Sequence, residues 1–240
     1  MKYYLFLSAI LILSACNETE PHESANSEQA VLNPDNYNVA FLIMDGTFNT
    51  ELTAPYDIYQ HTIFRDSIKA MNVFTVANTS EAITTFEGMR ILPDFNYMSD
   101  KLPRIDILVV PSAEHHLDSD LEDENMLSFI RMTSWNALFV TSHCDGAFVL
   151  AKAGILDGIV STTFPGDIEA MREMFPSLDI RDSTLFVHDG KFITSAGGAK
   201  SFEASLYLCE LLYGKKYADQ LAEGMVIDWD LNTTPHTVVE

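Results

Sequence analysis

From Asn38 onward, short apolar and β-branched runs alternate with stretches whose apolar positions recur every three or four residues. Asn38 to Met44 reads as a first strand, with a helix expected over about Glu51 to Phe64 and a second strand over Val73 to Ala77. Ile83 to Phe86 and Met89 to Leu92 flank Glu87-Gly88, which predicts a hairpin or a bulged excursion. Ile105 to Val110 is strongly apolar and is expected at the centre of a sheet. Met126, Leu127 and Ile130 line one face of a helix predicted to end before Trp135. Ala137 to Thr141 is the next strand, and Gly146 to Ala153 the helix after it. Phe186 to His188 and Phe192 to Thr194 flank the tight turn Asp189-Gly190. Helices are then expected over Ser201 to Leu212 and about Lys216 to Glu223.

This alternation predicts an α/β fold with a mostly parallel central sheet and helices on both faces. With 240 residues, 47% of them apolar, the chain has material for one well-cored domain but not two. A formal net charge of −21 repels phosphate groups, which argues against nucleic-acid binding. The acidity names no partner of its own.

The first residues change the picture. Lys2 precedes an apolar stretch, Tyr3 to Leu13, too short to span a bilayer as a mature helix. It ends in Leu13-Ser14-Ala15-Cys16, which resembles the lipobox of bacterial lipoproteins. Cleavage before Cys16 would leave an acylated N-terminus anchored to a membrane. An ordinary secretory signal with a chance cysteine at its cleavage site is the alternative. Residues 17–36, rich in Glu, Ser, Asn and Pro, read as a flexible tether. The domain is then expected over residues 37–226, with a C-terminal tail over 227–240. The expected location is the bacterial cell envelope, on the periplasmic or outer-membrane side. Beyond Cys16 only Cys144 and Cys209 remain, too few for a disulfide framework; Cys209 falls within a helical apolar pattern and reads as a buried small hydrophobe.

The chemistry concentrates at Thr141-Ser142-His143-Cys144-Asp145-Gly146, where an apolar strand runs straight into an apolar helix. Such an elbow presents one side chain at the carboxyl edge of the sheet, where open α/β folds bind ligands. A helix N-terminus favours a thiolate there, so Cys144 is a candidate nucleophile. A small residue filling a crowded turn would look the same.

Other segments share a pattern with the elbow. Ser142, Cys144 and Gly146 match Ser/Ala-x-Cys-x-Gly, and Gly146 to Gly158 continues it with Ala-Phe-Val-Leu-Ala-Lys-Ala-Gly-Ile-Leu-Asp in between. Asp45-Gly46, Glu51, Leu52, Ala54 and Pro55 form a second matching set, and Asp189 to Gly198 a third. Residues 37–215 thus resemble the ThiJ/PfpI superfamily, within the class I glutamine amidotransferase-like group, near its isonitrile-hydratase-like and AraC-regulator-type branch. The resemblance implies a flavodoxin-like three-layer sandwich and a homodimer. It also places the Glu51 carboxyl against the Cys144 sulfur as a proton donor. His143 and Asp145, adjacent to Cys144 in the chain, read as residues beside the pocket.

The chain departs from that family at Phe164, in Thr162-Thr163-Phe164, where many members carry a histidine. This counts against conversion of glyoxals and against deglycase or peptidase activity. Ser112 and Ala113 stand where the family has two glycines, whose amides form an oxyanion site. His115 and His116 follow; adjacent histidines rarely aim at one ion, so no metal is expected and His116 reads as part of the pocket rim. The acidic run Asp118 to Glu124 is expected to cap the next helix.

Two functions follow from the resemblance, and neither requires a cofactor. In the first, Cys144 attacks a small electrophile and Glu51 supplies a proton, as in hydration of an isonitrile. In the second, the domain binds a small molecule or senses oxidants through its thiol without catalysis.

Overall fold

Along β1 (Tyr37–Leu42) the pleat sends alternate residues into separate cores. Val39, Phe41 and the following Ile43 pack on one side, and Ala40 and Leu42 on the other. A strand buried on both faces is the mark of a sheet covered by two layers of helix. The computed structural model describes residues 31–239. The signal segment, Cys16 and most of the expected tether lie outside those residues.

After β1 the chain forms α1 (Asn49–Gln60), β2 (Met71–Ala77), a small hairpin of β3 (Ile83–Thr84) with β4 (Arg90–Ile91), and β5 (Phe95–Asn96). Next come β6 (Ile107–Val110), α2 (Glu124–Asn136), β7 (Phe139–His143) and α3 (Gly146–Lys152). β8 (Val160–Ser161), α4 (Ile168–Met174) and β9 (Asp179–Ile180) make a short excursion. The chain then closes with β10 (Phe186–Asp189), β11 (Phe192–Ser195), α5 (Ser201–Tyr213), α6 (Lys215–Gly224) and β12 (His236–Val239).

The main sheet has the order β12-β10-β11-β7-β6-β1-β2-β5. Its pairs are parallel except β10 with β11, which the tight turn at Gly190 makes antiparallel. Leu127 and Ile130 of α2, Phe148 and Leu150 of α3, and Met171 of α4 cover one face. Leu52 and Ile58 of α1, Leu206 and Leu208 of α5, and Leu221 of α6 cover the other. This is the three-layer flavodoxin-like sandwich. Among the described residues, no helix is long and apolar enough to cross a membrane.

Several boundaries moved. The first helix starts at Asn49 and gives way to a 3₁₀ turn over His61–Phe64, while α2 runs past Trp135, which faces outward. The residues set apart as a C-terminal tail supply β12, which lies parallel to β10. Their alternation is too short to signal a strand alone; β10 provides the partner. Cys209 is fully buried in α5, as its pattern implied.

Candidate active site

β1, β6 and β7 are neighbours running the same way, so their carboxyl ends open at one edge. The chain leaving β1 enters α1 with Glu51, that leaving β6 carries Ser112 and Ala113, and that leaving β7 carries Cys144. Open parallel sheets place ligand sites at this edge, beside the point where strand order reverses.

Cys144 has φ of +54°, a left-handed conformation rare for a side-chain-bearing residue. Two neighbouring contacts hold it there. Its amide donates to the Ser195 carbonyl at 3.0 Å, and its own carbonyl accepts from the Thr163 hydroxyl at 3.0 Å. Gly146 is required because a β-carbon on it would lie 2.2 Å from the Val110 carbonyl oxygen. The elbow thus sits hard against β6 on one side and the loop after β11 on the other.

Glu51 reaches the same loop. Its residue is only 7% exposed, and its Oε1 accepts the Gly198 amide at 2.9 Å. The cysteine is 8% exposed, with Sγ 3.7 Å from Asp145 Oδ2. Burial pushes the thiol well above its ordinary pKa, and the Asp145 and Glu51 carboxylates push it further. The Asp145 amide and the Ser112 hydroxyl favour the thiolate but do not overcome this. Burial and the two carboxylates act against the helix N-terminus, which favours the thiolate and here belongs to a helix of only seven residues.

Asp145 is itself perturbed. Burial, then the neighbouring Asp167 carboxylate, raise its carboxyl to about 6, against hydrogen bonds from Thr163 and Cys144. The Thr163 hydroxyl stands 3.1 Å from Asp145 Oδ1 while bonding the Cys144 carbonyl. Sequence reading passed over Thr163, since that segment drew attention only for Phe164. Asp145 had been placed at the pocket without a role.

The remaining expected residues divide. Ser112 is fully buried beside the sulfur, and its carbonyl accepts the Phe48 amide at 2.9 Å. The Ala113 amide, expected to serve an oxyanion, donates to His116 Nδ1 at 3.2 Å. His116 belongs not to a rim but to the interior, fully buried, with its pKa lowered by burial to about 3. A neutral ring is what the Ala113 bond needs, since Nδ1 must accept. His143 points away from the thiol, 3.0 Å from the Ser195 hydroxyl, and burial lowers its pKa also to about 3. Phe164 is 43% exposed and lies over Gly166. The acidic run does cap α2, through the Asp123 carboxylate on the Asn125 and Met126 amides.

Residues 37–211 match the DJ-1/PfpI family, which covers every element of this site. The chain belongs to the DJ-1/PfpI family. Among DJ-1/PfpI relatives, isonitrile hydratase of Pseudomonas putida is 29% identical over 177 residues, 73% of this chain and 72% of that protein. The HTH-type transcriptional regulator CdhR of Pseudomonas aeruginosa is 34% identical over 102 residues, 42% of this chain but only 30% of the regulator. In structure, a ThiJ/PfpI family protein from Pseudomonas syringae superposes with a TM-score of 0.70 at 22% identity, over 90% of this chain and 85% of that one. The last likeness speaks to the fold alone.

Proposed function

We propose that this DJ-1/PfpI protein is a cysteine-dependent hydratase of small electrophiles, isonitriles in the first place. The carrying observation is the pairing at one loop: Gly198 holds the Glu51 carboxyl while the preceding Gly197 abuts Cys144. Sγ adds as the thiolate to the terminal isonitrile carbon, and Glu51 gives that carbon a proton, leaving a thioimidate. Water then adds to the same carbon, Glu51 relaying its proton to the nitrogen, which becomes N–H. The C–S bond breaks as the hydroxyl proton of the adduct returns to Glu51, and an N-formamide leaves with the thiolate restored. A sulfur so nearly covered favours a slender electrophile with a terminal reacting carbon. The similarity to isonitrile hydratase supports the same substrate class.

The test is turnover by the purified protein, with Cys144→Ala as the blank. Conversion of isonitriles to N-formamides is expected; turnover of neither isonitriles nor small carbonyl compounds defeats the reading. The similarity to a transcriptional regulator favours a second reading, a non-catalytic binding or thiol-sensing module of the envelope. Selective oxidation of Cys144 by mild peroxide, with Cys209 untouched, would support it. Either role is placed on a homodimer anchored to the membrane through Cys16.

A further inference from the structure

The carboxyl ends of β1, β6 and β7 carry the Cys144 site; their amino ends carry a different surface. There Tyr97, Leu102, Arg104, Phe129, Met132 and Asn136 line a groove of about 270 Å³ between α2 and the chain entering β6. Within it Tyr97 stacks on Phe129, ring centroids 4.5 Å apart. Large apolar side chains stand open around the groove: Trp135 is 84% exposed and Met132 65%, with Met98 and Leu138 about half exposed. Met132 and Trp135 are three apart on α2 and so are neighbours on its surface. A cluster of this kind marks a contact surface, where a single exposed apolar residue would not. Its charge is equally local. In a chain of net charge −21, no Asp or Glu occurs between Asn125 and Cys144. Lys101, Arg104 and Arg131 are exposed beside the groove. The nearby carboxylates are engaged: Asp106 is buried against Arg104 at 2.6 Å, Asp100 accepts the Asn96 amide at 2.7 Å, and Glu124 meets Arg131 at 3.0 Å. The described chain also begins at this edge. Leu32 packs against the same core cluster as Tyr97 and Leu102. Asn72 bridges the Asn33 carbonyl and the Asn38 side chain, and Asn38 donates in turn to the Arg104 carbonyl at 2.8 Å. Residues 17–30, which join this point to Cys16, reach at most about 50 Å.

We propose that this face, centred on Met132 and Trp135 of α2, docks on a phospholipid surface and turns the Cys144 edge of the sheet away from it. The proposal goes beyond the hydratase reading, and it rests on anchoring through Cys16 only for what keeps the domain near a bilayer. An indole settles at the level of the headgroups, its ring toward the acyl chains and its N–H toward water. Met132 and Met98 enter the acyl boundary beside it, while Lys101 and Arg131 meet lipid phosphates. So few side chains bind weakly by themselves. A tether of limited reach raises the effective concentration of lipid at the face, so a weak contact is enough. A second copy of the chain suits the surface less well. In a two-fold contact the patch meets itself, which would bring its exposed cations against their own counterparts. On the bilayer, by contrast, the acidic remainder of the domain faces water, and small reactants reach Cys144 from the aqueous side.

The test uses the full chain carrying Trp229→Phe, which leaves Trp135 as its only tryptophan. It is mixed with vesicles of phosphatidylethanolamine and phosphatidylglycerol whose acyl chains are plain or brominated. Trp135 emission should move to shorter wavelength on plain vesicles and fall at least about twofold on brominated ones. Lys101→Glu combined with Arg131→Glu should weaken the quenching and remove its dependence on phosphatidylglycerol. Should Trp229→Phe not fold, the difference between wild type and Trp135→Phe gives the same signal. Flotation with the vesicles, compared between wild type and Cys16→Ser, reports the anchor separately. Quenching of Trp135 in Cys16→Ser supports the docking face even where the anchor reading fails. An unquenched Trp135 on vesicles that carry the protein overturns it. So does a shift of Trp135 emission that follows protein concentration without vesicles, since a second copy then covers the face.

Discussion

Gly197 is pressed against Cys144: a β-carbon built on it would stand 2.3 Å from Cys144 Cβ and 2.6 Å from the cysteine amide nitrogen. Gly197 also has φ of +76°, which disfavours any side chain. The loop after β11 therefore supports the nucleophile by backbone contact alone.

Gly197→Ala should combine steric overlap with backbone strain and cost about 3 kcal/mol or more. Gly158→Ala is the control, since Gly158 has φ of +75° but nothing within 4 Å of its β-carbon position. Strain alone should cost about 1 kcal/mol there. Urea denaturation of both variants compares them; equal losses would remove the contact from the account.

Replacing Glu51 with Gln should separate nucleophilicity from turnover. The amide keeps the shape of the side chain and an oxygen for the Gly198 amide, so alkylation of Cys144 should stay within a few-fold of the wild type. Hydration should fall by about 10²-fold or more, since the amide has no proton to deliver. Parallel alkylation and turnover assays decide, and a fall in both would show that Glu51 is only a structural support.

Stability should drop on acidification below neutrality. His116 and His143 are lowered to about 3, so between that value and about 6.5 the unfolded chain binds more protons and stability rises with pH. Each contributes up to about 1.4 kcal/mol per pH unit. Asp145, raised to about 6, opposes them between its ordinary value and 6, where the folded state holds the extra proton. The two imidazoles should outweigh the single carboxyl. The urea midpoint is expected to fall from pH 7 to pH 4.5, less steeply in His143→Asn; a flat midpoint would contradict buried neutral rings.

Anchoring is open to a direct check. Cys16→Ser should abolish incorporation of labelled palmitate and release the protein from the membrane fraction. Retention of the label would place the modification elsewhere.

Most of the layered architecture could be read from periodicity, because strands such as Ile107–Val110 are apolar throughout and the helices between them are amphipathic. The elbow was legible too, since strand, turn and helix abut within a few residues at Cys144. Contacts across long separations were not. The hydrogen bond from Gly198 to Glu51 joins residues 147 positions apart, and only the resemblance brought those segments together. Burial of His116 was invisible, because adjacent histidines after a strand look like loop residues until the fold closes over one of them. The influences on the sulfur were only half visible for a related reason. A helix start is visible in sequence, whereas desolvation and the convergence of Asp145 and Glu51 belong to the assembled site.

The left-handed backbone at Cys144 has an evolutionary consequence. Since main-chain neighbours from β6 and β11 fix where the sulfur stands, the surrounding loops are free to change length and composition without displacing it. New reactants can then be accommodated by remodelling the entrance while the reacting atom keeps its address.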